Sequence, residues 1–542
     1  MTVWIHRRPD SEVAAETAIA TRPLAGVRLA VKDNVDVAGL PTTAACPAYA
    51  YIPEQDAAVV AALRSAGATV VGKTNLDQFA TGLVGTRSPY GAVENALRPG
   101  YVSGGSSSGS AVAVARGEAD IAIGTDTAGS GRVPAALHGI VGIKPTVGVV
   151  STAGVVPACR SYDCVTIFAA DLELAGRAMG VMAAGAGGRP WPPDVRLAAP
   201  PKPVVAVFSE LPDLDPVWRN AFEWTVGALR ERGAQIIEVD PEPFLAAAKL
   251  LYGGALVAER YSAVGEFVDS HIESVDPTVG SIIQAARDLP AHQLVTDLAS
   301  LEKLRETAMA SLAGADVLLT PTVPGHPTIA EVTADPIGEN SRLGTYTNFC
   351  NLFDLCAVAV PAGMAGDAQF GVTVIARAFE DAVAFDVAAL INADPEAPTP
   401  PESAWPLTIA PFHELVVFGA HLRGQPLEHQ LIDLGARWAG PVRTSPRYRL
   451  AALDTIPPKP AVTRLPEGES GVSVAAERWL LSPAALGRFL AALPAPMQLG
   501  SVELEDGTWR TGFGCAGAAA ETGKDISEYG GWRAALAAGA IG

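Results

Sequence analysis

The residues best suited to chemistry in this 542-residue chain lie in one Gly/Ser-rich stretch, 103–146, which reads SGGSSSGSAVAVARGEADIAIGTDTAGSGRVPAALHGIVGIKPT. It consists of two small-residue loops separated by an apolar helix-and-strand unit. The first loop, 104–110, carries Ser106, Ser107 and Ser108 and runs into Ala-rich sequence, so its amides crown a helix N-terminus, where developing negative charge is favoured. The second, 125–131, carries Ser130; it follows the alternating apolar run 121–123 and precedes Pro134, a good opening residue for a helix. Glycines at 124, 129 and 131 let that loop turn sharply and leave its N–H groups uncovered. Hydroxyls beside bare N–H groups are the parts of an acyl transfer: an oxygen nucleophile and a cradle for the oxyanion.

A serine hydroxyl is a weak nucleophile until a base takes its proton. Lys32 sits in VRLAVKDNVDV, 27–37, a strand-like run that flanks it with apolar neighbours. In one reading it snorkels or pairs with Asp33 or Asp36. In the other it is a desolvated amine whose lowered pKa makes it a proton acceptor near neutrality.

Two motif matches compete for attention. The segment 67–74, GATVVGKT, satisfies the phosphate-loop expression G-x-x-x-x-G-K-[ST] and would make the chain a nucleotide triphosphatase. Thr69, Val70 and Val71 are β-branched, however, and suit a strand, and no helix-forming run follows at once. The segment 105–109, GSSSG, satisfies G-x-S-x-G and would make Ser107 a nucleophile on a strand-to-helix elbow. Pro99, Gly100 and Ser103 stand where that strand would be, and a capped helix start explains the three serines as well.

Composition narrows the classes. The net charge of −19 argues against a general nucleic-acid or anionic-membrane surface, so no nucleic-acid partner is expected. No apolar run reaches membrane-spanning length, and the N-terminus lacks the apolar core of a secretory signal, so a cytoplasmic protein is expected. The six cysteines lack C-x-x-C spacing and the histidines do not cluster with them, so neither metal nor other cofactor is expected.

Taken together, VKDNVDV with Lys32, GGSSSGS with Ser106 and GTDTAGSGRVPAALHGIVGIKPT with Ser130, the two serines 24 positions apart, resemble the amidase signature family. The stretches GKTNLDQF at 72–79 and DVLLTPT at 316–322, and those around Asn351, 360–363 and 370–373, are similar to it too. The resemblance implies that Ser130 is the nucleophile, Ser106 a bridging hydroxyl on a cis peptide and Lys32 the ultimate base. It further implies an oxyanion hole of the backbone N–H groups of Thr127, Ala128, Gly129 and Ser130, with Asp126 and Arg132 shaping the loop. The fold implied is α/β, a mixed, mostly parallel sheet covered by helices, and strand-like and helix-like stretches do alternate through the first half. A Pro/Gly-rich interval, 185–203, reads as a surface connection.

The segment 250–262, LLYGGALVAERYS, places Tyr252 and Arg260 eight residues apart. On one continuous helix they lie two turns apart on nearly one face; a surface arginine paired to Glu259 is the plainer alternative. The stretch resembles the corresponding part of allophanate hydrolases, in which a Tyr and an Arg hold a small planar anionic amide, allophanate. A guanidinium fork matches its carboxylate. Residues 394–411 are rich in proline and read as a stiff linker between an amidase domain, 1–393, and a second domain, 412–542. That domain resembles the C-terminal domain of allophanate hydrolases, an α+β, β-rich fold of the gamma-glutamyl cyclotransferase type. Within it the resemblance implies assistance to a decarboxylation, with His421 and His429 as proton carriers and Tyr448 and Glu477 as pocket-lining neighbours. It also implies a homodimer and a functional link to a biotin-dependent urea carboxylase. The alternatives are another small amide such as malonamate, a glutaminyl side chain on tRNA, and a C-terminal module serving only for assembly.

Overall fold

A computed structural model describes residues 3–17, 22–185, 187–392 and 405–541. It divides into two compact units, Met1–Pro190 with Lys202–Ile409, and Trp191–Pro201 with Ala410–Gly542. Most of the expected linker, 394–404, lies outside the described residues.

The first unit is built on an eleven-stranded sheet, ordered Trp4–Arg7, Thr69–Thr74, Arg28–Lys32, Ile121–Asp126, Cys164–Ala169, Val141–Lys144, Cys356–Ala365, Ala368–Ala376, Val317–Pro321, Val204–Phe208 and Gln235–Val239. It is the expected mixed sheet covered by helices. Its parallel pairings form two blocks, one of Thr69–Thr74, Arg28–Lys32 and Ile121–Asp126, the other of the last three strands. The strands between them pair antiparallel, as does the edge strand Trp4–Arg7 with Thr69–Thr74, so the parallel pairings are confined to these two blocks. The cause is connection length: Arg28–Lys32 reaches Thr69–Thr74 through the helix Ala58–Ser65, whereas Cys356–Ala365 turns straight back into Ala368–Ala376 at Gly366. Thr69–Thr74, Ile121–Asp126 and Cys164–Ala169 are buried at every position, which requires cover on both faces.

Two sequence readings are resolved here. The phosphate-loop match folds as the strand Thr69–Thr74, and its Lys73, fully buried, forms an ion pair with Asp33 at 3.1 Å and donates to Thr42 Oγ1 at 3.1 Å. A straight strand cannot wrap a phosphate, so the nucleotide triphosphatase reading fails. The Gly/Ser stretch supplies the helix Ser108–Ala115, which packs its small side chains on Arg28–Lys32 and Ile121–Asp126.

The second unit has a five-stranded sheet, ordered Arg437–Arg443, Ala475–Leu481, His413–Val417, Trp509–Cys515 and Met497–Glu503, and a three-stranded one of Lys459–Arg464, Tyr448–Leu453 and Lys524–Asp525. Leu415, Val417, Phe418, Trp479, Leu481 and Phe513 share its core. The interval read as a surface connection is a correction in part, because Trp191–Pro201 belongs to this unit. Leu197 is fully buried; its N–H donates to Gly435 O at 2.8 Å and its carbonyl accepts from Arg437 Nε at 2.7 Å. An extended, proline-flanked segment leaves its backbone groups free to be taken up by a neighbouring structure in this way.

Candidate active site

The serines of the Gly/Ser stretch sort themselves by hydrogen bonding. Ser103, Ser107, Ser108 and Ser110 donate to backbone carbonyls, of Gly104 at 3.0 Å, Thr125 at 3.1 Å, Asn75 at 3.4 Å and Ile123 at 2.9 Å. Ser107 is thereby tied down at the base of a helix, which removes the elbow reading. Ser106 is different: its Oγ lies 2.8 Å from Lys32 Nζ, both residues are fully buried, and the Gly105–Ser106 peptide is cis. Ser130, 4% exposed, has a hydroxyl with no hydrogen-bond partner among the described residues.

Lys32 comes to Ser106 from the end of the strand Arg28–Lys32, and its Nζ also donates to Thr125 Oγ1 at 2.7 Å. Burial pushes its pKa down to about 7, the Arg260 guanidinium pushing the same way, while Asp77, Asp126 and Asp163 oppose. No carboxylate reaches Lys32 within 4 Å among the described residues; Asp33, one of the partners expected from sequence, takes Lys73 instead. Asp77 lies beneath the cis peptide, accepting from the N–H groups of Val84, Gly85 and Arg87 at 3.0–3.2 Å. Residue 105 has to be glycine here, because a Cβ would stand 2.0 Å from Asp77 Oδ2 and 2.7 Å from Gly85 N. Thr125 is a residue that the sequence reading passed over, although it lies in the GTDTAGSG motif.

The second loop leaves the strand Ile121–Asp126 and turns at Gly129, whose φ of 142° and 2.4 Å clearance from Thr347 Oγ1 exclude a side chain. Asp126 and Arg132 are buried and bound through two bonds of 2.9 Å. Gly131 N also donates to Asp126 Oδ2 at 3.0 Å, and Arg132 reaches Thr347 O and Asn351 Oδ1, each at 3.0 Å. Burial by itself would raise the Asp126 pKa, but the Arg132 charge overrides it and holds the carboxyl below its ordinary range. Thr127 donates to Asp163 at 2.5 Å, and the same carboxylate accepts from the N–H groups of Ala158 and Cys159. The N–H groups of Thr127, Ala128, Gly129 and Ser130 donate to nothing among the described residues. Four vacant donors beside an uncommitted serine can receive an oxyanion.

Tyr252 and Arg260 meet, but not on one helix. The helix Glu242–Gly253 stops at Gly254, a 3-10 turn Ala255–Val257 follows, and Ala258–Ser270 begins a new axis. The break is held by Asp297, which accepts from Ala255 N at 2.6 Å. Arg260 is 2% exposed, so the surface pairing with Glu259 is also corrected; Glu259 accepts from Ser161 N at 2.9 Å instead. Arg260 Nη2 donates to Tyr252 OH at 3.1 Å, and Nη1 donates to Thr81 Oγ1 at 3.0 Å and to Ala80 O at 3.4 Å. A guanidinium has five N–H groups. The Nε–H therefore remains without an acceptor among the described residues, and Nη2 carries one N–H beyond the bond to Tyr252; Nε and Nη2 share the edge of a guanidinium that fits a carboxylate side-on.

The four candidates of the second unit are not brought together. His421 lines a cavity of about 560 Å3 with Phe418, Lys459, Arg488 and Met497; its ring stacks on Phe513 at 5.0 Å and Nε2 meets Gln430 Oε1 at 2.9 Å. Burial lowers its pKa. His429 is exposed on the short helix His429–Ile432. As a correction, Tyr448 and Glu477 do not line that cavity. Tyr448 is a core residue whose OH accepts from Glu503 N at 2.7 Å; Glu477 lines a different cavity and is held by Arg423 N at 2.8 Å and Arg533 Nη1 at 2.7 Å. Alternation along a strand sends successive side chains to opposite faces, and sequence order did not reveal which face met the cavity.

Among the described residues no helix is long and apolar enough to cross a membrane, and no group of three or more His, Cys, Asp or Glu side chains is placed to hold a metal ion.

Fold and site together define an amidase-signature hydrolase. The Amidase family model matches residues 6–384 and the allophanate hydrolase C-terminal domain model matches residues 413–537; the chain belongs to the amidase family. The urea amidolyase of Saccharomyces cerevisiae is 43% identical over 95% of the chain, but the chain spans only 30% of that protein. Allophanate hydrolase from Kluyveromyces lactis superposes with a TM-score of 0.89 at 39% identity, covering 99% of this chain and 93% of that one. The urea amidolyase of K. lactis gives 0.89 at 38% identity, covering 99% of this chain and 34% of that one.

Proposed function

We propose that the chain hydrolyses allophanate, the carboxylate of urea, and that its C-terminal unit assists the loss of carbon dioxide from the product. The observation that carries this reading is Lys32, a fully buried amine brought to about 7 and 2.8 Å from Ser106 Oγ. An amine with that pKa is about half neutral at pH 7, and the neutral form has a lone pair to offer.

In the first half-reaction Ser130 Oγ bonds to the amide carbonyl carbon while its proton passes through Ser106 to Lys32. The oxyanion forms against the N–H groups of Thr127 to Ser130, each such donor worth about 10²–10³ in rate. Lys32 returns the proton through Ser106 to the terminal nitrogen, the C–N bond breaks, and ammonia leaves. Water then follows the same proton path to release the acid from Ser130. Arg260 holds the substrate carboxylate through Nε–H and Nη2–H, with Tyr252 fixing the guanidinium.

The product is an amine bearing two carboxylates, which takes up a proton and loses carbon dioxide to give carbamate. The cavity beside His421 carries Lys459 and Arg488, which can hold a dicarboxylate, and His421 relays protons at its wall. The similarity to urea amidolyases supports a place beside a biotin-dependent urea carboxylase, which supplies allophanate, and a homodimer is the assembly expected with this reading.

The test is direct. Ammonia release is measured with allophanate, malonamate and a simple aryl amide, alongside Tyr252→Phe and Arg260→Ala. Preference for allophanate that collapses in both variants supports the reading; equal turnover of the three substrates refutes it.

A further inference from the structure

The turn that grips Arg260 is itself unusual. Phe79 and Ala80 both lie in the left-handed region, with φ of 51° and 53°, where residues other than glycine are uncommon. Surrounding bonds enforce this shape: Phe79 N donates to Ala44 O at 2.9 Å, Gln78 N donates to Arg87 O at 2.7 Å, and Arg87 Nη1 donates to Thr81 O at 3.0 Å. Strained backbone of this kind persists where the surrounding structure over-determines it, and such positions cluster at functional sites. Its result is that Ala80 O and Thr81 Oγ1 both face the same guanidinium nitrogen. Thr81 is fully buried and its hydroxyl proton goes to Phe79 O at 3.2 Å, so the lone pairs of Oγ1 are directed to Arg260.

A guanidinium offers a carboxylate an end-on fork, Nη1 with Nη2, or a side-on fork, Nε with Nη2. The turn places two acceptors, Ala80 O and Thr81 Oγ1, on Nη1, which engages one arm of the end-on fork and leaves the Nε–Nη2 edge. We propose that Thr81 is a positioning residue that sets selectivity for carboxylated amides by presenting only that edge of Arg260. The inference rests on the reading of Arg260 as the carboxylate anchor. With one carboxylate orientation allowed, a substrate as short as allophanate has its amide carbon delivered to one place. A neutral amide gains nothing from the arrangement.

Steady-state kinetics with allophanate and a neutral aryl amide test it in the wild type, Thr81→Val, Thr81→Ser and Arg260→Ala. Thr81→Val retains the shape and removes the acceptor; Thr81→Ala replaces it if the valine variant does not fold. Loss of a hydrogen bond to a charged group is expected to lower the ratio of kcat/KM for allophanate over the aryl amide by about tenfold, through KM rather than kcat. Thr81→Ser restores the ratio. An unaltered ratio in Thr81→Val, an equal loss for both substrates, or no rescue by serine overturns the proposal. A ratio that survives Arg260→Ala removes the carboxylate reading and this inference with it, whereas a ratio that collapses in Arg260→Ala and not in Thr81→Val removes the role of Thr81 alone.

Discussion

Burial acts on two bases in this chain with the same sign and different consequences. At Lys32 it brings an amine from 10.5 down to about 7, into the range where it can take a proton from a hydroxyl. At His421 it lowers an imidazole that started at 6.5, so the ring is neutral at pH 7 and available as an acceptor rather than a ready acid. The surroundings differ to match. Lys32 sits in a polar network, 2.8 Å from Ser106 and 2.7 Å from Thr125, closed on every side. His421 stands between aromatic rings, Phe513 stacked and Phe489 edge-on at 5.3 Å, on the wall of an open cavity. The contrast teaches that desolvation alone does not make a catalyst; it matters where the group's ordinary pKa lies relative to the working pH.

The comparison breaks most decisively at Ser130. Ser130→Ala is expected to lower ammonia release by roughly 10⁶ while the circular dichroism spectrum stays native, and full turnover would leave the Lys32 network without a purpose. Next in size is pH. Because only unprotonated Lys32 accepts a proton, kcat/KM should fall about tenfold for each unit below about 7 and level off above it. A flat profile between pH 5 and 8 would sever the link between burial and catalysis. Arg260→Ala should raise KM for allophanate about 10–100-fold, the range for a lost charge-assisted bond. It should also move the acid limb to higher pH, since the Arg260 charge helps hold the Lys32 pKa down; a limb that stays in place or moves the other way contradicts the electrostatics. The smallest effect is expected in the second unit, where His421→Ala should make carbon dioxide release lag several-fold behind the first ammonia. A truncation after Ile409 with unaltered carbon dioxide release would sharpen the same point by removing that unit from the reaction.

The first site was far more legible in the sequence than the second. Ser106, Ser130 and the vacant N–H groups of 127–130 lie within one short motif, where small residues and glycines restrict the backbone to few shapes. The strand Thr69–Thr74 was legible for a related reason, since β-branched residues in a row disfavour a phosphate-wrapping loop. The meeting of Tyr252 and Arg260 was anticipated, but the continuous helix was not found, because Gly254 and the distant Asp297 break it. Nothing local marked Thr81, whose contact with Arg260 spans 179 positions in sequence. In the second unit, type and order suggested four candidates, yet Tyr448 packs in the core and Glu477 lines another cavity, outcomes that depend on which face of each strand is covered.

The sequence by itself determined the chemical inventory: which hydroxyls, amine and guanidinium exist, and which loops have glycine enough to bare their N–H groups. Tertiary structure alone decided that Lys32 meets Ser106 rather than Asp33, that Asp33 goes to Lys73, and that Arg260 gives Nη1 to the turn at Ala80 and Thr81. The physical reason is that propensity and hydrogen-bond capacity are local properties, whereas desolvation is set by everything packed around a group. A lysine becomes a base only when the rest of the fold has taken its water away.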